Sequence, residues 1–216
     1  YSDQLQFFID NSINKQVVES LIFSGALDYL GLNRKHCYGL YILLRELTDK
    51  EKIIFDKHCK GDLENKFREL INGSFKISAP RLQKLTNAFN KFIKDFKNQE
   101  FDDLTKVLYE KRLTGISFSN MPIERKYTKL KDITYSKSIN YKLFCILDHL
   151  IIRKTKDNRT MAFANISDDT AMIGAVIPPS SYNKFSNLLE TNMAYKLEGF
   201  HKNNKIIVNK LERIFE

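Results

Sequence analysis

Residues 143–152 read LFCILDHLII, a stretch rich in β-formers that ends at the turn Lys156-Asp157-Asn158-Arg159. Working outward, Thr160–Ile166 predicts a second strand. The polar turn Asp168-Asp169-Thr170 leads into a third over Ala171–Ile177. Pro178-Pro179-Ser180 then opens a short helix through Leu189. A fourth strand over Met193–His201 and a fifth over Ile206–Ile214 follow, joined by Lys202-Asn203-Asn204-Lys205.

Three strands, a helix and two strands, in that order, is the plan of the five-stranded oligonucleotide/oligosaccharide-binding (OB) barrel. Upstream, the period changes to that of helices. Val17, Val18, Leu21 and Ile22 are helically spaced, as are Leu40, Leu43, Leu44 and Leu47, and Asn14 suits an N-cap. Leu82, Leu85, Phe89, Phe92, Ile93 and Phe96 form an apolar stripe with Lys84, Lys91, Lys94 and Lys97 between them. That helix is read as core-facing with a solvated basic side, in preference to a DNA-binding helix. The fold class expected is therefore α+β and multidomain. A helical region spans 1–105, a connector with a short helix near Lys106–Leu113 spans 106–140, and the OB barrel spans 141–216.

The 216 residues carry 35 Lys and Arg against 26 Asp and Glu, a net charge of +9 that points to an anionic partner such as nucleic acid. The excess is uneven: −1 over residues 1–48, +6 over 49–132 and +4 over 133–216. Lys, Asn and Ile are all abundant, a bias typical of AT-rich genomes, so no single Lys is informative by type alone. No apolar run reaches the length of a membrane span, and no signal peptide is visible. The chain starts at Tyr1 without Met, so a piece of a longer protein is expected. Cys37, Cys59 and Cys145 are odd in number and widely spaced, as in a reducing, cytoplasmic setting.

No P-loop, GxGxxG, GxSxG or HExxH occurs. His36-Cys37 and His58-Cys59 lack the spacing of zinc ligands, and Asp102-Asp103 and Asp168-Asp169 sit where turns and helix starts favour Asp. The chain reads as a binder with no metal site and no catalytic residues of its own.

Residues 17–35, VVESLIFSGALDYLGLNRK, place a tight Ser24-Gly25-Ala26 turn between helical segments, like half of a helix-hairpin-helix module. Glycine lets such a turn approach a phosphate, and free amides at the next helix receive it. The expected duplex contacts are Ser24, Gly25, Ala26, Asn33, Arg34 and Lys35. The local charge of −1 weighs against this, and an αα-hairpin packed in a helical domain is the alternative. In the barrel, single-strand contacts are expected from Arg153, Lys154, Lys156 and Arg159 in the first loop and from Lys202 and Lys205 in the last. Phe163, Tyr195 and Phe200 are the aromatic candidates. Alternation hides one face of each strand, and Phe163 suits the core at least as well as a stacking platform.

Asn14–Lys35 resembles the helix-hairpin-helix segment of bacterial DNA polymerase III alpha subunits, with its Asn-Lys start, Leu-Ile-x-x-Gly-Ala turn, Asp, Leu-Gly and Asn-Arg. Tyr109–Ile123 resembles that family's connector at Glu110, Lys111, Leu113, Gly115, Ser119 and Pro122, with Met121 where the family has His. Arg159–Leu189 resembles its OB domain, though the turn Ser167-Asp168-Asp169-Thr170 lacks the usual Arg-x-Gly. The resemblance implies a C-terminal fragment of a replicative polymerase. The hairpin module would grip duplex and the OB domain would meet the single-stranded template. The nucleotidyltransferase centre, its metal-binding aspartates and its Mg would lie upstream. The sliding clamp and the clamp loader are implied partners, with Gln83–Phe89 and Gln99–Leu104 as weakly matching clamp peptides. The competing reading is a protein-interaction module that docks a replisome partner and attracts DNA only through bulk charge.

Overall fold

The computed structural model describes Phe8, residues 13–134 and residues 139–214. The chain divides into two compact units, Tyr1–Asp102 and Asp103–Glu216.

The first unit is helical. Helix α1 spans Lys15–Phe23, with the Asn14 side chain accepting the Gln16 N–H at 2.8 Å. A 3-10 turn at Asp28–Leu30 follows, and Gly31 closes it in the left-handed region. Helix α2 spans Arg34–Arg45, and α3 spans Asp49–Lys57. The latter starts with a reciprocal Thr48/Glu51 capping box. Helices α4, Leu63–Asn72, and α5, Ala79–Asp95, follow. Pro80 lies in the first turn of α5, where its missing N–H costs nothing. The apolar stripe of α5 faces inward at Leu85, Phe89 and Phe92, while Lys84, Lys91 and Lys94 stay exposed. Phe89 stacks on Phe67 at 5.9 Å, and Phe67 meets Phe55 edge-on at 4.9 Å. Each such buried ring stabilises the unit by about 2–3 kcal/mol relative to exposure.

The second unit begins with α6, Asp103–Thr114. Leu104 and Val107 of α6, with Met121, cover Phe144, Ile146 and Ala194 on the outside of the barrel. Residues 106–140, read from the sequence as a connector, thus include a segment that packs on the barrel wall. The carboxylate of Glu110, fully buried, accepts the Phe118 and Ser119 N–H groups at 2.6 and 2.7 Å and the Ser119 hydroxyl at 2.7 Å. Lys111 pairs with Asp148 at 2.6 Å and reaches the Ser167 hydroxyl. Met121 packs in the same apolar cluster against the wall.

The strands are β1 Asn140–Lys154, β2 Thr160–Ser167, β3 Met172–Ile177, β4 Met193–Lys202 and β5 Lys205–Arg213. They close into a barrel in the order β1-β2-β3-β5-β4, with β3 and β5 parallel. This is the OB plan. Closure depends on the length of β1. Its first half pairs with β4 and its second half with β2, and a bulge between Leu147 and His149 lets it turn the corner. Helix α7, Pro179–Phe185, lies between β3 and β4, and its Ser181 hydroxyl donates to the Val208 carbonyl at 2.7 Å. Asn203 and Asn204 both take positive φ, as the two-residue β4–β5 turn requires.

Candidate nucleic-acid interface

Strand register assembles a surface that no single segment shows. Ile151 of β1 is opposite Phe163 of β2, which is opposite Val176 of β3. Val176 is opposite Ile207 of β5, and Ile207 is opposite Phe200 of β4. Directly paired residues share a face. The inward partners here are Ala164, Ala175 and Ile206, all buried in the barrel. The five-residue row therefore lies on the outer wall, each member partly or fully exposed.

A second register row runs beside it: His149, Asn165, Gly174, Lys205 and Lys202. Four of these five residues are polar. On the other side, Arg153 is opposite Met161, and β1 and β2 continue to the Lys154–Thr160 end of their hairpin. The apolar row thus lies between the basic residues of the β1–β2 loop and those of the β4–β5 loop. From the Asn165 level to the Lys154 level is five residues along the hairpin, about 17 Å at ~3.4 Å per residue.

The electrostatics of this wall are open. Arg153, Lys154, Lys156, Lys202 and Lys205 are exposed and have no ion-pair partner among the described residues. Arg159 is paired with Asp157 at 3.2 Å, both side chains well exposed, so the pair is weak. The Lys205 ammonium lies 5.2 Å from the centre of the Phe163 ring. Of the aromatic candidates, Phe163 and Phe200 lie on the outer row. Tyr195 does not. It is buried in the barrel, its hydroxyl donating to Leu188 O at 2.7 Å and accepting from Glu190 N–H at 2.8 Å. Ile151, Val176 and Ile207 were not singled out from the sequence, because nothing but register marks them as neighbours.

The helical unit places its six candidates differently. Gly25 takes φ +82°, and Ala26 is exposed at the tip. The amides of Ala26 and Leu27 donate to no group among the described residues. The Ser24 hydroxyl is turned back to Leu21 O at 3.2 Å. Asn33 is exposed, with a 3.4 Å contact from its amide to Asn98 O, and the Lys35 ammonium has no ion pair among the described residues.

Arg34, expected from the sequence as a duplex contact, is buried, with only 7% of it exposed. Its guanidinium grips Asp28 through Nε at 2.9 Å and Nη2 at 2.7 Å, and Nη1 reaches Phe23 O at 3.4 Å. A Cβ on Gly25 would come within 2.2 Å of Nη2. Gly25, Asp28 and Arg34 thus lock the turn together. The start of α2 is also occupied. The Glu100 carboxylate accepts the Arg34 and Lys35 amides at 3.3 and 3.4 Å, and Gln99 O accepts the His36 amide at 3.2 Å.

Other chemistry-bearing groups are committed to structure. His36 Nδ1 accepts the Asn98 N–H at 2.8 Å, and burial lowers the pKa of this imidazole, which fits an acceptor. Asp168 caps the β2–β3 turn by accepting from Thr170 and Ala171 amides at 2.7 and 2.9 Å, and it ties down Leu130 N–H at 2.7 Å. Lys111 beside Ser167 has the makings of a Ser–Lys dyad, but Ser167 is buried and Lys111 is ion-paired to Asp148. Of the clamp-peptide candidates, Gln83–Phe89 lies inside α5 with Leu85 and Phe89 buried, and Phe101 packs edge-on against Phe23 at 5.8 Å. Among the described residues no cluster of three or more His, Cys, Asp or Glu is placed to hold a metal, and no helix is long and apolar enough to cross a membrane.

No protein-family model matches the chain. Individual proteins do. It is 25% identical over 199 residues to the DNA polymerase III subunit alpha of Aquifex aeolicus, covering 88% of this chain and 14% of that protein. It is 26% identical over 198 residues to that of Campylobacter jejuni, covering 87% and 15%. With that of Staphylococcus epidermidis the identity is 29% over 210 residues, covering 92% and 17%. Among solved structures, a mitochondrial single-stranded DNA binding protein from S. cerevisiae covers 38% of this chain and 96% of its own, at 6% identity and a TM-score of 0.31, too low to carry weight. The chain spans about one sixth of the length of the curated relatives it matches, 14–17%. Over about 90% of its own length, the chain is similar to bacterial DNA polymerase III alpha subunits, at 25–29% identity.

Proposed function

We propose that this chain is a C-terminal, DNA-handling part of a replicative DNA polymerase III alpha subunit, with single strand on the barrel and duplex on the hairpin. The observation that carries the reading is the outer apolar row Ile151–Phe163–Val176–Ile207–Phe200, flanked by basic residues without carboxylate partners. Bases stack on or pack against such a row, at ~1–3 kcal/mol per good aromatic stack, while flanking cations meet phosphates. Arg153, Lys154, Lys156, Arg159, Phe163, Lys202 and Lys205 are the single-strand contacts. On the hairpin, the free amides of Ala26 and Leu27 at the Gly25 turn, with Ser24, Asn33 and Lys35 around them, receive a duplex phosphate. Arg34 shapes that turn from beneath.

Nucleotidyl transfer, with its Mg, belongs to the portion of the longer protein outside this segment. The sliding clamp and the clamp loader are partners of that longer protein, in the cytoplasm. For the clamp, unchanged affinity on Phe101→Ala would remove Gln99–Leu104 from consideration.

The test is fluorescence anisotropy with labelled single-stranded, duplex and primed-template DNA, each titrated with salt. Primed template is expected to bind best. Single-strand affinity should fall about tenfold with Phe163→Ala. With five unpaired cations engaged, the single-strand salt slope should be roughly −3.5, at ~0.7 per phosphate. Weak, equal and strongly salt-sensitive binding to all three DNAs would reject this reading in favour of a protein-docking module.

A further inference from the structure

Gly174 is an odd residue for the middle of β3. Glycine weakens a strand interior because it adds backbone freedom and packs nothing. No positive φ requires it here. What its missing side chain leaves is room. A Cβ at Gly174 would lie 3.3 Å from Cγ of Lys205 and 3.7 Å from both its Cδ and Cε. The aliphatic stem of Lys205 therefore lies across the bare backbone of β3. That path brings its ammonium over the Phe163 ring on the next strand, 5.2 Å from the centroid.

A second oddity adjoins the first. Lys202 and Lys205 are directly opposite each other across the β4–β5 turn, both exposed and neither ion-paired among the described residues. Like charges in that position destabilise a hairpin. An anion lying between them removes the repulsion. The ring, the bare backbone and the two ammonium groups thus sit together on the outer wall.

We propose that Phe163, Lys205 and Gly174 form a nucleotide seat that the protein fills itself when no strand is bound, with Gly174 as its positioning residue. In the free protein the Lys205 ammonium covers the ring face. When a base stacks on Phe163, the ammonium leaves the ring and pairs with a phosphate beside Lys202. The exchange keeps the ring face covered in both states and places the cation next to the incoming phosphate. The proposal rests on the single-strand reading of the barrel wall, and it adds a residue that contacts no ligand.

The experiment uses the full 216-residue chain, a labelled twelve-nucleotide oligothymidylate and lysine labelled with 13C at Cε. In the free protein, the Lys205 Cε protons should be shifted upfield by the Phe163 ring current. The shift should vanish in Phe163→Leu, in Gly174→Val and on adding the oligonucleotide. Valine suits a strand, and its methyl groups fill the space of the lysine stem. In anisotropy titrations, Lys205→Ala should weaken binding several-fold and flatten the salt slope by about 0.7. Gly174→Val should do the same, and the double variant should be no worse than Lys205→Ala alone. An unshifted Lys205, or a Gly174→Val chain with wild-type affinity and slope, overturns the seat while leaving single-strand binding intact. Additive losses in the double variant overturn the positioning role of Gly174. A wild-type chain that does not bind the oligonucleotide overturns the single-strand reading, and the handover falls with it.

Discussion

Replacing Arg34 with alanine separates two roles that the residue type alone does not. If Arg34 were a phosphate ligand, the variant would stay folded and lose duplex affinity. The structure dictates the opposite. The guanidinium makes charge-assisted bonds to Asp28 at 2.9 and 2.7 Å and holds Phe23 O at 3.4 Å from beneath the Gly25 turn. Breaking a fully buried pair by deleting one partner costs ~3–5 kcal/mol. Here the Asp28 side chain is 50% exposed and water takes it up once Arg34 is gone. The loss is therefore nearer that of the charge-assisted bonds themselves, about 2 kcal/mol. In hydrogen–deuterium exchange, the slowest amides of α1 and α2 should exchange roughly 30-fold faster, since ~1.4 kcal/mol is a factor of ten. Arg34→Lys should recover part of this, because a lysine keeps the charge and loses the fork. Duplex affinity, measured well below the unfolding temperature, should change little. Unchanged protection together with a tenfold loss of duplex affinity would refute the reasoning and return Arg34 to the DNA surface.

Three further outcomes follow from the same contacts. Hydrogen bonds from Arg81, and then from Thr48, hold the Glu51 carboxyl below the ordinary carboxylate range. Its contribution is present above the ordinary carboxylate value of the unfolded chain and is lost as pH falls through the depressed folded value. Glu51→Gln should lower neutral-pH stability and flatten that acid-side loss, as read by urea unfolding from pH 7 to 3; identical pH profiles would contradict the pairing. Burial pushes the Cys37 thiol up to about 12 and the Cys145 thiol still higher, so the folded chain should react slowly with a disulfide reagent at pH 8 and rapidly in denaturant. Three fast thiols in the native protein would be inconsistent with that burial. Tyr195→Phe strips the partner from the Glu190 N–H and should destabilise the barrel by about 1–2 kcal/mol in thermal unfolding with no change in oligothymidylate affinity. A loss of affinity without loss of stability would place Tyr195 on the binding wall after all.

Much of the fold was legible because it depends on local period. The strands from Leu143 to Ile214 alternate or run apolar between turn residues, and the α5 stripe recurs at helical spacing, so element type and order could be read directly. The site was legible only in part. The exposure of the loop cations was legible because a turn flanked by strands is exposed wherever it lies. Phe163 and Tyr195 could not be told apart, since shifting a strand by one residue exchanges its faces. The bulge between Leu147 and His149 adds to this. It puts Leu143, Cys145 and Leu147 on the inside and then Leu150 as well, so one alternation does not describe β1 from end to end.

By itself, then, the sequence determined the helical first part, the five strands with their intervening helix, and the basic loops, all of which follow from neighbours within a few residues. Tertiary structure alone decided the rest. It chose the outward face of each strand, lined up Ile151, Phe163, Val176, Ile207 and Phe200 across the five strands of the barrel, and laid Lys205 over Gly174. It also turned Arg34 into a buried lock, because Asp28 and the Gly25 turn are carried to it by the packing of α1 against α2. The physical reason is the same in each case. Burial and pairing partners depend on how separate elements pack against one another, which the period and turn signals within one segment do not carry.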